Sequence, residues 1–328
     1  MATAEQIKSL VRSHTEGDDQ RFHSVIMQIA AHAAKAGKSN LAHELRDLVD
    51  DAKRERERIS IRPVPLARPK GELAGLATAS YPKLRLADMV LNSNLEDTLN
   101  KVLTEYRQSD RLRSYGLSPR RKLLLVGPPG CGKTMTASAL AGELSLPLLS
   151  VQLHAVITKY MGETAAKLHL LFDAMLETRG VYFFDEFDAI GGHRKSVNDV
   201  GEMRRVLNSF LMFLERDDSE SIIVAATNLV EMLDPALFRR FDEVIKYSPP
   251  DRPARENLIK NKLCIFDIKR LGWKKILDTS DGLSHADITR ACDDAAKEMI
   301  LSDKKTIPTS ILFDAIQRQN KLLVTRSV

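Results

Sequence analysis

Gly127-Pro-Pro-Gly-Cys-Gly-Lys-Thr134 follows without interruption on the apolar run Leu123–Val126. The order of these residue types has a chemical meaning. The apolar run reads as a buried strand, and glycines after it let backbone N–H groups turn inward around an anion. A helix beginning after Gly132 adds its positive N-terminal end. Lys133 can then reach the β- and γ-phosphates of a nucleotide, and the Thr134 hydroxyl can sit on Mg²⁺. The expected binding set is Gly127, Pro128, Pro129, Gly130, Cys131, Gly132, Lys133, Thr134 and Met135, with ATP and Mg²⁺ as ligands. The competing reading, a glycine-rich turn that happens to contain Gly-Lys-Thr, loses ground to a second constellation downstream.

That constellation is Val181-Tyr-Phe-Phe-Asp-Glu-Phe-Asp188, an apolar stretch closed by two acids. A strand buried on both faces of a parallel sheet has this composition, and the carboxyl ends of such strands are where these sheets bind ligands. Asp185 at the strand end is placed to hold the metal. Glu186, one residue on, would orient or deprotonate an attacking water. An isolated Asp-Glu pair is normally a solvated strand end. Following a phosphate loop and capping an apolar strand, it reads as the other half of a hydrolytic site.

The elements that must position these residues follow from periodicity. Strands are expected at Lys122–Val126, Leu148–Gln152, Val181–Phe184, Ile222–Ala226 and Glu243–Lys246, alternating with helical stretches as in a three-layer α/β domain with a parallel sheet. An all-helical region begins near Asp251, with stripes such as Ile288, Ala291 and Ala295. Before the α/β part, Pro63, Pro65, Pro69 and Pro82 with Gly71 and Gly75 mark a linker. Three short amphipathic helices precede that, with stripes such as Phe22, Val25, Ile26 and Ile29. The expected division is a helical module at 1–58, a linker at 59–83, an ATPase domain at 84–250 and a helical lid at 251–328.

Composition narrows the class. The chain's 328 residues are 43% hydrophobic, enough for one sizeable core and a smaller one. A net charge of +5 is too mild and too dispersed to argue for nucleic acid, and no basic, aromatic-interleaved surface is evident. The basic clusters Lys53–Arg58 and Arg120–Lys122 read as solvated faces. Cys131, Cys264 and Cys292 have neither metal-ligand spacing nor a disulfide pattern, which points to a reducing compartment. The N-terminus lacks the apolar core of a signal peptide, and no stretch reaches the length of a membrane span. A cytoplasmic protein is expected.

From Leu84 onward the motifs together resemble a single-ring AAA+ ATPase of the AAA subfamily, the group that includes spastin, katanin and the proteasomal ATPases. Besides both Walker motifs, Ala225-Ala-Thr-Asn228 resembles the sensor 1 segment, and Leu233-Asp-Pro-Ala-Leu-Phe-Arg-Arg-Phe-Asp242 resembles the second region of homology. The resemblance implies a P-loop α/β domain with a helical lid, a ring usually of six subunits, and ATP hydrolysis. It implies that Asn228 holds the attacking water and that Arg239 and Arg240 act as arginine fingers on a neighbour's nucleotide. The other reading of those arginines is a basic turn or local ion pairs to Asp234 and Asp242. Lys159-Tyr-Met-Gly-Glu163, ahead of a helix expected near Thr164, resembles the first pore loop, in which Tyr160 grips a polypeptide. Gly192–Asn198 would be a second, basic pore loop or a plain surface loop.

The chain departs from the family pattern in two places. Ser284-His-Ala-Asp287 stands where Ser-Gly-Ala-Asp is usual, so His285 and Ala286 are expected at the nucleotide with a bulky ring in place of glycine. Phe-Arg-Arg-Phe lacks the Arg-x-Gly-Arg spacing of many relatives and is nearer the spastin-like branch. In the N-terminal module, Ile7–His14 and Asp18–Phe22 resemble bacterial AAA ATPases encoded beside a subtilisin-like serine protease in phage-defence or plasmid-incompatibility modules. That resemblance implies a docking element for the protease or a substrate. The combined expectation is a ring-forming protein remodeller or unfoldase, with a nucleotide-gated regulatory subunit as the alternative.

Overall fold

A computed structural model describes residues 71–157, 161–188, 199–229, 233 and 235–326, together with Lys8, Val25, Ile26, Ile29 and Ala30. The chain divides into two compact units, Met1–Val64 and Pro65–Val328. In the first, the described residues are helical, with Val25 and Ala30 buried. The expectations for the rest of that unit, for Tyr160 and for Gly192–Asn198 lie outside the described residues.

The second unit runs β1 (Ala77–Ser80), α1 (Ser93–Arg107), α2 (Ser109–Ser114), β2 (Lys122–Val126), α3 (Lys133–Leu144), β3 (Leu148–Val151), α4 (Leu153–Val156), α5 (Met161–Glu177), β4 (Val181–Phe184), α6 (Asp199–Arg216), β5 (Ile222–Thr227), α7 (Pro235–Phe238) and β6 (Glu243–Lys246). Helices α8 (Arg252–Lys262), α9 (Trp273–Thr279), α10 (His285–Leu301) and α11 (Thr309–Arg326) follow. The six strands form one sheet in the order β1-β3-β4-β5-β2-β6. Every neighbouring pair is parallel except β1 with β3. The α/β expectation therefore holds, with one antiparallel edge added. Residues 77–80 were read as linker, and their pairing with β3 corrects that reading. Four small residues carry too short a pattern to register as a strand, and the edge of β3 recruits them.

The central strands are buried along their whole length, β4 and β5 at every position. This is the burial expected of strands covered on both faces, and it explains their unbroken apolar sequences. Beneath the sheet's carboxyl edge, Phe184 and Phe187 each pack on Phe210, with ring centroids 5.4 and 4.9 Å from it. Tyr182 is fully buried and its hydroxyl proton is shared between the Ala174 and Thr178 carbonyls, each 3.0 Å from the oxygen.

Two local readings are corrected. The basic cluster at 120–122 is not a solvated face: Arg120 bridges Glu105 and Glu243, and Arg121 is paired with the nearly buried Asp217. Strand β2 needs its start held between neighbours, and these pairs do so. The helix expected near Thr164 begins at Met161, so Met161–Glu163 form its first turn rather than a loop. Thr164 is fully buried, which draws that turn onto the domain.

The C-terminal helices have their own core, in which Leu258, Ile259, Ile276, Ile288, Ala291, Ala295, Leu312 and Ile316 pack together. Asp251 caps α8 by accepting from the Ala254 amide at 2.9 Å. Ser284 and Asp287 form a capping box on α10. Among the described residues, no helix is long and apolar enough to cross a membrane.

Candidate functional site

Strand order places the chemistry. β5 lies between β2 and β4, with Val126 opposite Thr227 and Phe184 opposite Ala225. The residues that leave these three strands, Gly127 onward, Asp185 with Glu186, and Asn228, therefore emerge side by side at one carboxyl edge. Such an edge is where open α/β sheets hold ligands.

A cavity of about 660 Å³ opens there, and its lining includes Pro129, Gly130, Cys131, Gly132, Lys133, Thr134, Met135, Asp185, Glu186, Asn228, His285 and Ala286. All of these were singled out from sequence. Gly127 and Pro128 do not line it. Their carbonyls instead accept from the Lys133 ammonium at 2.7 and 2.9 Å, and the Asn228 side-chain oxygen accepts the third hydrogen bond at 2.8 Å. Burial pushes the lysine below the ordinary range, while Cys131, Asp185 and Asp188 oppose that shift. The Thr134 hydroxyl donates to Asp185 Oδ2 at 3.3 Å. These are two hard oxygen donors side by side, a set that suits Mg²⁺, which keeps several waters and is completed by phosphate oxygens.

Glu186 has φ of 51°, a left-handed conformation that non-glycine residues rarely adopt. It is held there from both sides. Its own amide donates to Asp185 at 2.9 Å, and the next amide, of fully buried Phe187, donates to Ala226 on β5 at 2.8 Å. Glu186 lines the cavity from this turn, which carries a local cost of about 1–3 kcal/mol.

The C-terminal helices close the opposite side. The Ala286 amide donates to the Gly130 carbonyl at 3.0 Å, so the first turn of α10 is bonded directly to the phosphate-type loop. A side chain on Gly130 would stand 2.6 Å from the Ser284 hydroxyl. Only glycine permits that approach. His285 lies in the lining, its Nδ1 buried without a hydrogen-bond partner among the described residues. Burial pushes its imidazole below the ordinary histidine range, and the Val90 backbone opposes the shift. Cys131 is buried and its thiol is raised by that burial, so it is not poised as a thiolate.

Several lining residues were not legible from sequence. Met89, Val90 and Leu91 come from the segment ahead of α1, and Leu258, Lys262, Thr289 and Arg290 from α8 and α10. The segment reaches the cavity by lying across α3, where a Cβ on Gly142 would fall 2.0 Å from the Leu84 carbonyl oxygen. No motif marks it. A hint exists only in the apolar Met-Val-Leu ahead of the helix cap Asn92. Behind the loop, Tyr247 shares a buried 2.6 Å hydrogen bond with Thr136 of α3.

Arg239 and Arg240 do not line the cavity and are both exposed. Of the local partners expected for them, Asp234 lies outside the described residues and Asp242 is engaged elsewhere. Arg240 pairs with Glu215 at the end of α6, while the Asp242 carboxylate accepts from the Arg121 and Lys122 amides.

Residues 123–249 match the model of the ATPase family associated with various cellular activities (AAA). The chain is 34% identical to the AAA family ATPase y4kL of Sinorhizobium fredii over 97% of its own length and 95% of that protein's. It is also 32% identical over 258 residues to the ATP-dependent zinc metalloprotease FtsH of Helicobacter felis, covering 76% of this chain but only 40% of the relative. Among solved structures, the FIGL-1 AAA domain matches with a TM-score of 0.60 at 23% identity, covering 73% of this chain and 85% of that one, a likeness of fold. With the cavity assembled from the P-loop, the Asp185–Glu186 turn and Asn228, and with a relative matched over nearly its whole length, the chain belongs to the AAA family of ATPases.

Proposed function

We propose that this protein is a ring-forming ATPase that remodels or unfolds polypeptides. The observation that carries the proposal is the convergence of Lys133, Thr134, Asp185, Glu186 and Asn228 on one cavity that α8 and α10 also line. A ligand spanning the cavity touches the α/β part and the C-terminal helices together. Its turnover can therefore change their relation, which is what mechanical work on a substrate requires.

In this reading the loop amides and Lys133 bind the phosphates, and the base lies towards Met89, Val90, His285 and Ala286. Thr134 and Asp185 would hold Mg²⁺, which neutralises phosphate charge when bound. Glu186 takes a proton from the attacking water, and Asn228 orients that water. Arg239 and Arg240, exposed and outside their own subunit's cavity, would serve a neighbour's γ-phosphate. That requires a homo-oligomer, and the family resemblance favours a hexamer. Tyr160 would contact a polypeptide in the central channel. The lid at 251–328 would move relative to the domain at 84–250, and the module at 1–58 would dock a partner. A cytoplasmic site of action fits the cysteine usage, with nucleic acid an unneeded partner.

The FtsH relatives favour a second reading. They are ATP-dependent metalloproteases of which this chain spans well under half. By analogy, this ATPase would act on or with a protease on another chain, such as a subtilisin-like serine protease in a bacterial defence module, as a nucleotide-gated regulatory subunit. The deciding chemistry is common to both readings. Glu186→Gln should retain ATP and lose turnover, whereas Lys133→Ala should lose binding; near-normal hydrolysis by the Glu186→Gln protein would overturn the assignment.

A further inference from the structure

An ammonium group has three N–H donors and no more. On Lys133 all of them are donated within the protein, to the Gly127 carbonyl at 2.7 Å, the Pro128 carbonyl at 2.9 Å and the Asn228 side-chain oxygen at 2.8 Å. The lysine is also nearly buried, at 6% exposure, so water does not compete for it freely. For Lys133 to touch a phosphate oxygen, one of these three acceptors has to let go.

The acceptors are not equally able to do so. Both carbonyls belong to the loop itself, whose start is held by the Gly127 amide on the Thr227 carbonyl and by the Tyr247 amide on the Val126 carbonyl. The Tyr247 carbonyl packs so closely that a Cβ on Gly127 would lie 2.4 Å from its oxygen. Moving either loop carbonyl means moving the loop. Asn228 is different: it stands one residue beyond β5, is exposed, and needs only a side-chain rotation to withdraw.

We propose that Asn228 is a positioning residue that competes with the nucleotide for Lys133, and so sets nucleotide affinity as well as orienting water. Phosphate binding exchanges the Asn228 oxygen for a phosphate oxygen on the lysine, and the released amide is then free to turn to the γ-phosphate side. The inference rests on the ATP-site reading above. It differs from a role confined to the γ-phosphate in what it says about ADP, which has no such group.

The experiment is calorimetric titration of the full chain with ADP and with ATP, for the unsubstituted protein, Asn228→Ala and Asn228→Asp, each checked for unchanged far-ultraviolet circular dichroism and melting. Asn228→Ala removes the competing acceptor, so ADP should bind about three- to tenfold more tightly, the range of one hydrogen bond partly screened by solvent. ATP should gain less, because its γ-phosphate loses the amide, and turnover should fall. Asn228→Asp replaces the amide with a carboxylate that holds Lys133 as an ion pair, and both nucleotides should weaken by roughly tenfold or more. Unchanged or weaker ADP binding in Asn228→Ala, with normal binding by the unsubstituted chain, overturns this inference alone. Absence of nucleotide binding by the unsubstituted chain overturns the ATP-site reading and this inference with it.

Discussion

Gly130 and Gly282 form a matched pair on which the packing of the loop against α10 can be tested. Both have left-handed backbones, with φ of 75° and 76°. Among the described residues a Cβ on Gly282 would meet nothing within 4 Å, whereas one on Gly130 would stand 2.6 Å from the Ser284 hydroxyl and 3.1 Å from the Ala286 methyl. Replacing either glycine by alanine imposes left-handed strain of about 1–2 kcal/mol. For Gly282→Ala that is the whole cost. Gly130→Ala adds an overpacking cost of about 1–3 kcal/mol. Ser284 cannot simply step aside, because its hydroxyl donates to Asp287 at 2.6 Å and accepts from the Asp287 amide to cap α10. The expected totals are about 1–2 kcal/mol for Gly282→Ala and about 2–5 kcal/mol for Gly130→Ala. Trp273 is the single tryptophan and packs against the core of the C-terminal helices, so its fluorescence reports their unfolding in urea. The two variants should separate, with Gly130→Ala also losing nucleotide affinity and Gly282→Ala keeping it. Equal destabilisation of the two would refute the claim that α10 is seated on the loop by a contact only glycine allows.

Three further outcomes are expected. Loss of Arg239 and Arg240 together should lower the ATPase rate by roughly 10³–10⁵ with little change in binding; mixing this variant with Glu186→Gln subunits should restore some activity, and no recovery in rings shown to be mixed would count against action in trans. Tyr160→Ala should keep basal hydrolysis and lose the polypeptide-dependent readout in the same preparation, and a full readout would transfer support to the regulatory-subunit reading. Burial holds the His285 imidazole below its unfolded value of 6.5, so at mildly acid pH the unfolded chain binds more protons than the folded one. The stability this contributes is present above pH 6.5 and is lost as pH falls from there through the folded-state value; melting temperatures should drop less steeply over that window for His285→Gln, and parallel profiles would contradict the assignment.

The local signals in this chain were strong wherever one strand and its following turn carried the whole message. Leu123–Thr134 and Val181–Glu186 are each contiguous, and an apolar strand ending in a phosphate loop or an acid can be read without knowing its neighbours. The carboxyl ends of β2 and β4 fell where the apolar runs stop, and β6 spans the expected Glu243–Lys246. Antiparallel β1 was not legible, because Ala77–Ser80 has no pattern of its own and becomes a strand only by pairing with β3. The order β4-β5-β2 likewise belongs to the assembled sheet. It is the reason Asn228 reaches Lys133 across 95 positions of chain. The cavity's remaining walls, Met89 and Val90 on one side and Lys262 and Arg290 on the other, come from segments whose sequences serve their own helices first. The proposed catalytic chemistry was thus legible in short stretches, because phosphate and metal sites of this kind demand particular residue types at fixed spacing. The remaining walls of the cavity, and the meeting of Lys133 with Asn228, were decided by tertiary packing, since those contacts join residues far apart in the chain and impose no local pattern that could be read in advance.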